Sequence, residues 1–132
     1  MSTSYDTIYN KFLDISKTDN KNLPTTDDGK YGMITTAIDA VNNRVRTDYT
    51  YDNELEQVNE NLNNDIILLI ANYMRLYFLE NQKTYYVTMF KPFMKEIGLL
   101  HYNTDIKAYE TDISLQNGKI DEIIKNMAID YE

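Results

Sequence analysis

The sequence contains no cysteine and a single histidine, His101, and these two shortages exclude several kinds of chemistry. Without cysteine the chain has no disulfide framework, no thiolate metal site and no thiol nucleophile. A Ser–His–Asp triad would have to be built around His101, and no such set can be assembled from the sequence. Beside Tyr102 in a predicted turn, His101 is better explained as a structural residue. We therefore predict a protein that is not an enzyme and has no catalytic residues.

Motifs that bind phosphates or metals are missing as well. Neither GxxxxGK[ST] nor GxGxxG occurs in the chain. The sequence DDG at 27–29 resembles part of a calcium loop, but Lys30 and Tyr31 follow where an EF-hand needs further oxygen ligands. The three glutamates between 54 and 60 form a charge run of the kind found on solvated surfaces. We therefore predict no metal site and no cofactor.

Positive charge is scarce, with 13 Lys and Arg against 21 Asp and Glu, and the net charge is −8. Nucleic-acid-binding proteins usually present a basic face, so we do not expect specific binding to DNA or RNA. Tyr85 and Tyr86 could stack on bases. Because only Lys83 and Lys91 supply positive charge near them, packing in the core or at a protein interface explains these tyrosines better.

The chain has one long apolar run, at 66–79, where twelve of fourteen residues are hydrophobic. A membrane-spanning helix needs about 20 apolar residues, and Arg75 inside the run would be costly in lipid. The N-terminal sequence also lacks the pattern of a signal peptide. We therefore predict no membrane span and a buried helix at about 64–82, capped by Asn63 or Asn64. A helix that is apolar on most sides needs helices or a neighbouring subunit around it.

The remaining patterns predict a mainly α protein: a single-domain bundle over residues 1–132 with four or five helices and at most one small β element. We predict helices at about 4–17, 30–45, 91–98 and 103–129, besides the central one. Thr3 and Asp6 have capping-box spacing for the first helix.

Three stretches leave the local structure open. The segment TDYTY, at 47–51, could form a short extended piece, because Thr and Tyr suit strands. We interpret it as part of a loop with a weak helical turn at about 54–59. TYYVTMF, at 84–90, is equally compatible with helix and strand. In the last helix, apolar residues recur every seven positions, but Gln116–Gly118 interrupt the stripe. That interruption leaves two helices or one kinked helix as alternatives.

Three stretches of the sequence carry a family resemblance: SYDTIYNKFLDIS at the start, NENLNNDIILLIANYMRLYFL in the middle and MAIDYE at the end. They resemble stretches of head–tail connector (neck adaptor) proteins of tailed phages that infect Gram-positive bacteria. The relatives tend to carry a tryptophan near the end of the central helix, where this chain has Tyr77 or Phe78. The resemblance implies a virion protein made in the bacterial host cytoplasm. It also implies an α-helical ring, typically of twelve copies, that extends the DNA channel.

The partners implied by this resemblance are the portal protein, adjacent copies of the chain and a downstream neck or tail protein. DNA would pass through the ring without specific binding. Other neck roles, as a stopper or a tail-completion protein, stay open. So does a small acidic phage-encoded regulatory protein that binds a host factor. An enzyme with an unrecognised site would need a deep pocket with convergent polar groups.

Twelve tyrosines suit surfaces that are covered in one state and wet in another, although AT-rich coding would also enrich tyrosine. At the C-terminal end, residues 119–132 place apolar side chains on more than one helix face. We predict that this segment contacts a partner, and the resemblance adds the portal as that partner. The alternative is that Ile120, Ile124 and Met127 close the domain's own core. The predicted interface residues are Ile120, Ile123, Ile124, Met127, Ile129 and Tyr131.

Overall fold

The computed structural model describes residues 2–16, 26–93, 95 and 98–130, and within them the fold is mainly α, as predicted. The helices are α1 (Tyr5–Ser16), α2 (Asp27–Val45), α3 (Asn64–Phe90) and α4 (Leu99–Asp130), and a 3-10 helix spans Lys91–Phe93. The strands are β1 (Thr3–Ser4), β2 (Tyr51–Asp52) and β3 (Gln57–Val58). These described residues thus form four α-helices and one small antiparallel sheet.

Helix α3 lies at the centre of the bundle and packs against α1, α2 and α4. Ten of the fourteen residues from Ile66 to Leu79 are buried, which confirms the prediction of a buried central helix. The helix continues to Phe90, beyond the predicted end near residue 82. The ambiguous stretch at 84–90 is helical because side chains such as Tyr86 pack against aromatic residues of α4. Tertiary packing thus overrides the weak β propensity of this stretch.

The sheet has the order β1–β3–β2, and both pairings are antiparallel. Val58 in the central strand pairs with Thr3 on one side and Tyr51 on the other, and its side chain is fully buried. The segment TDYTY is interpreted from the sequence as a loop, and the structure differs at its end, because Tyr51 lies in strand β2. The helical turn predicted at 54–59 is wrong, because Gln57 and Val58 gain two neighbouring strands instead.

Asn63 caps α3, since its side-chain oxygen accepts a hydrogen bond from the Ile66 amide at 2.9 Å. The capping role predicted for Thr3 is wrong. The Ser4 hydroxyl accepts the Asp6 amide at 3.1 Å, whereas the Thr3 hydroxyl donates to the Glu60 carbonyl at 3.0 Å. The Thr3 side chain therefore ties the N-terminal strand to the chain that enters α3.

Helix α4 is continuous from Leu99 to Asp130 and begins earlier than the predicted residue 103. The long helix predicted here is confirmed, and the alternative of two helices does not apply, because α4 continues through Gln116, whose side chain is buried against α3. Gly98, just before α4, has a φ of +85°, a conformation that glycine adopts readily. A short helix is predicted at 91–98. The structure has a 3-10 helix at Lys91–Phe93 and a helical conformation at Lys95. Residues 94, 96 and 97 lie outside the described part of the chain.

No helix within the described residues combines the length and apolarity needed to cross a membrane.

Candidate interaction surfaces

The α3–α4 hairpin extends well beyond the part of α3 that is buried in the core. The buried side chains of α3 end at Leu79, and the helix continues for eleven residues to Phe90. At 1.5 Å per residue this extension is about 16 Å long. Across it, α3 lies beside the first half of α4. The hairpin therefore carries its turn away from the core.

An aromatic cluster holds the two arms of the hairpin together. The ring of Tyr86 lies 4.7 Å from Phe90, 5.7 Å from Tyr102 and 5.5 Å from Tyr109, measured between centroids. The Tyr86 hydroxyl donates a 2.5 Å hydrogen bond to Asp105. This bond, together with burial, raises the pKa of Tyr86 from 10.0 to about 12. The arms are thus fixed by packing and by a charge-assisted hydrogen bond.

The end of this hairpin exposes a concentration of large apolar side chains. We define the hairpin tip as residues 89–101. It contains five of the ten large hydrophobic residues that are exposed within the described part of the chain. They are Met89, Phe90, Phe93, Leu99 and Leu100, with Leu100 82% exposed. Lys91 and Lys95 lie among them and help to line an open cleft of about 580 Å³. Such a clustered apolar surface with a charged rim is typical of a protein-binding site.

The opposite end of α3 carries an acidic surface. We define the acidic loop as residues 46–63, which contain five carboxylates and one arginine and have a net charge of −4. Within it Leu55 is 65% exposed, beside exposed Glu54 in the β2–β3 turn. Asp52 accepts the amide of Glu54 at 2.9 Å, which fixes the turn. Hydrogen bonds from Thr50 lower the pKa of Glu60.

Comparison with known proteins identifies the family. Residues 1–129 match the family described as YomZ prophage protein. The chain belongs to the YomZ prophage protein family. It is 33% identical over 129 residues to the SPbeta prophage-derived uncharacterized protein YomZ of Bacillus subtilis (strain 168), with 98% of each chain covered. No solved structure matches it significantly. The phage origin implied by the sequence resemblance is therefore confirmed.

In this YomZ family member, the predicted C-terminal interface lies largely against the chain's own core. Ile120 is 1% exposed and belongs to the core cluster, which agrees with the alternative that it closes the domain's own core. Its contact with a partner stays a prediction. Ile123, Ile124 and Met127 are half-buried against the same cluster. The reason is that the apolar stripe of α4 faces the bundle, and Arg44 of α2 holds α4 through a 2.8 Å ion pair with Asp121.

The last two predicted residues, Ile129 and Tyr131, fall outside the described side chains. A partner contact of residues 128–132 therefore stays a prediction.

Sequence reasoning did not single out the hairpin tip. The stretch FKPFMKEIGLL contains the relevant signal, because large apolar residues surround a proline and a glycine that favour a turn. Apolar residues in a turn at the far end of a long hairpin have no core to enter. The sequence pattern predicts that α3 ends near residue 82, eight residues before its observed end at Phe90. The exposed position of this turn therefore does not follow from the sequence.

The histidine and the glutamates singled out in the sequence lie near opposite ends of α3. His101 lies 3.3 Å from Asp105 on the exposed side of the tip. Glu60 accepts hydrogen bonds from Thr50 within the acidic loop, Glu56 accepts the Tyr31 hydroxyl of α2, and Glu54 is exposed. No group of three or more His, Cys, Asp or Glu in the described ranges is arranged to hold a metal ion.

Proposed function

We propose that this YomZ family member is a structural protein of the phage neck. In this role it is a ring-forming head–tail connector (adaptor) that binds under the portal, extends the DNA channel and docks the tail. The observation that carries the proposal is the hairpin tip, with its exposed Phe93, Leu99 and Leu100 on a projecting two-helix arm. A stably folded small domain gains nothing from such a surface unless a protein covers it.

The charge of the chain supports the same role. Each copy carries −8, so a ring of twelve copies would carry about −96. A negatively charged channel repels phosphates, which lets DNA pass without adhering to the wall. Membership of a prophage protein family, together with the resemblance of three stretches to neck adaptors, gives the phage setting.

Deletion of the gene from the phage that encodes this chain tests the proposal. We expect induced cells to accumulate DNA-filled heads and free tails that do not join, as seen by electron microscopy of the lysate. Supplying the wild-type chain from a plasmid should restore joined particles. Normal particles from the deletion strain would contradict the connector role. An unchanged particle accompanied by altered host growth would instead favour a regulatory protein that binds a host factor.

A further inference from the structure

The two ends of this molecule differ in charge while both expose apolar side chains. Helix α3 spans 27 residues, or about 40 Å, from the acidic loop to the hairpin tip. The acidic loop has a net charge of −4, and the hairpin tip has a net charge of +1 from Lys91, Lys95 and Glu96. The tip is thus a basic segment in a chain whose net charge is −8.

We propose that the hairpin tip of one copy binds the acidic loop of a second copy, head to tail. Exposed Phe93 and Leu100 of the tip would cover Leu55 of the loop. The ammonium groups of Lys91 and Lys95 would face the carboxylates around it. Opposite charges around an apolar centre steer association and fix the register of the partners.

This contact joins two different surfaces, so it repeats from copy to copy. Such a heterologous contact closes into a ring when the rotation between copies closes, and otherwise continues as a filament. A symmetric dimer would bring like charges together, with Lys91 and Lys95 of one tip against those of another. For its biological role the contact rests on the proposed function, in which it is the joint between neighbouring subunits of the connector ring.

The two helical arms that carry the tip and the acidic loop are both held by contacts within the chain, which lowers the entropy cost of association. At the tip, the aromatic cluster around Tyr86 fixes the two arms. At the loop, the Tyr5 hydroxyl donates to Asn53 at 2.6 Å and the Tyr5 amide donates to the Glu56 carbonyl at 2.9 Å. Asn42 of α2 also donates to the Tyr49 carbonyl at 2.9 Å.

Cysteine cross-linking of the purified full chain tests the contact, because the natural sequence has no cysteine. The variant L55C/L100C places one thiol at each end. Mild oxidation should give a ladder of dimers, trimers and higher species on a non-reducing gel. Mixing the two single variants should stop at dimers, because each chain then has one reactive end. Either single variant alone should give little dimer.

A matched control separates specific contact from random collision. In the control L55C/L115C, the thiol at Leu100, which is 82% exposed, is replaced by one at Leu115 of α4, which is 63% exposed and lies outside the tip. A ladder no stronger than in this control would overturn the proposal. Dimers of the Leu100→Cys variant alone that match the mixture would also overturn it, since they would show a symmetric tip contact.

Charge reversal provides a second measurement that does not depend on thiol geometry. In the L55C/L100C chain, Lys91→Glu and Lys95→Glu together should reduce cross-linking about ten-fold, because two favourable pairs become unfavourable. Adding Glu54→Lys should recover part of the loss. Undiminished cross-linking after the reversal would contradict the charge match.

The two proposals fail in different ways. If the purified chain gives no specific ladder while particles still need the gene for head–tail joining, the head-to-tail contact is wrong and the connector role stands. If the ladder forms and the gene is dispensable for joining, the contact stands and the connector role is wrong.

Discussion

At the scale of single residues, a buried amide pair fixes how α4 lies along α3. Gln116 is 2% exposed, and its side-chain nitrogen donates to both the carbonyl and the side-chain oxygen of Asn72, each at 2.9 Å. The Asn72 amide nitrogen in turn donates to the Leu68 carbonyl at 2.8 Å. A polar pair inside an apolar interface penalises any other register, because shifting it leaves buried polar atoms unpaired.

Replacing Gln116 by leucine should lower the free energy of unfolding by about 1–3 kcal/mol, because the buried Asn72 oxygen loses its donor. The double variant N72L/Q116L should lie closer to the wild type, since both polar groups are then removed. Urea unfolding followed by circular dichroism measures both. Asn126→Leu, at an exposed position of the same helix, is the control, and a Gln116→Leu variant as stable as that control would contradict this role.

Leu69 gives the strongest test of the buried centre, because its side chain is fully buried on α3. Leu69→Asp should lower the free energy of unfolding by more than about 4 kcal/mol by burying an unpaired charge. We expect loss of the cooperative thermal transition. The exposed Leu115→Asp should change the free energy of unfolding by less than about 0.5 kcal/mol. Similar transitions in both variants would show that Leu69 does not lie in the core.

At the scale of elements, the α3–α4 hairpin is stabilised by the protonated hydroxyl of Tyr86, which donates to Asp105. The pKa of Tyr86 is raised in the folded state, so the folded chain binds the hydroxyl proton more tightly than the unfolded chain does. The stabilisation is therefore complete below pH 10 and is lost as the pH rises from about 10 to about 12.

Tyr86→Phe should reduce the alkaline loss of stability, because the titrating group is gone. The measurement compares urea midpoints at pH 8 and pH 11 for the variant and the wild type. Part of the loss should persist, since burial also raises the pKa of Tyr5 to about 12. The exposed Tyr85→Phe is the matched control and should keep the wild-type pH dependence. An unchanged pH dependence in Tyr86→Phe would refute the assignment.

Two truncations at the C-terminal end of α4 distinguish packing within the core from contact with a partner. Deleting residues 128–132 should change the free energy of unfolding by less than about 0.5 kcal/mol, because the described core contacts end at Met127. The same deletion should block the joining of heads and tails if this segment grips the portal.

Deleting residues 119–132 is the contrasting variant and should destabilise the domain severely, since it removes buried Ile120. If the shorter deletion also prevented folding, the last residues would belong to the core. Normal joining with the shorter deletion would exclude a portal contact there.

Elements with strong local patterns could be predicted from the sequence, and those that depend on distant partners could not. The apolar run at 66–79 and the Asn63 cap predict the start of α3 by themselves. The two-residue strand Gln57–Val58 exists because β1, more than fifty residues away, pairs with it. In the sequence, Gln116 interrupts the apolar stripe of α4, and nothing nearby explains it because its hydrogen-bond partner, Asn72, lies on another helix.

At the scale of the whole molecule, two surfaces with exposed apolar side chains lie at opposite ends of α3. The sequence predicted surplus apolar surface and located it in the C-terminal segment. Within the described residues the structure places it mainly at the hairpin tip, because Ile120 and its neighbours return to the core. Which turn is exposed depends on where each helix ends, and α3 extends beyond its apolar run.

The most direct test of the connector role is a reconstruction of the neck of the intact phage particle that encodes this chain. The connector role predicts a closed ring of copies of this chain, seated between the portal and the tail, with the DNA channel running through it. A neck fully explained by other proteins, with no copy of this chain in the particle, would contradict it.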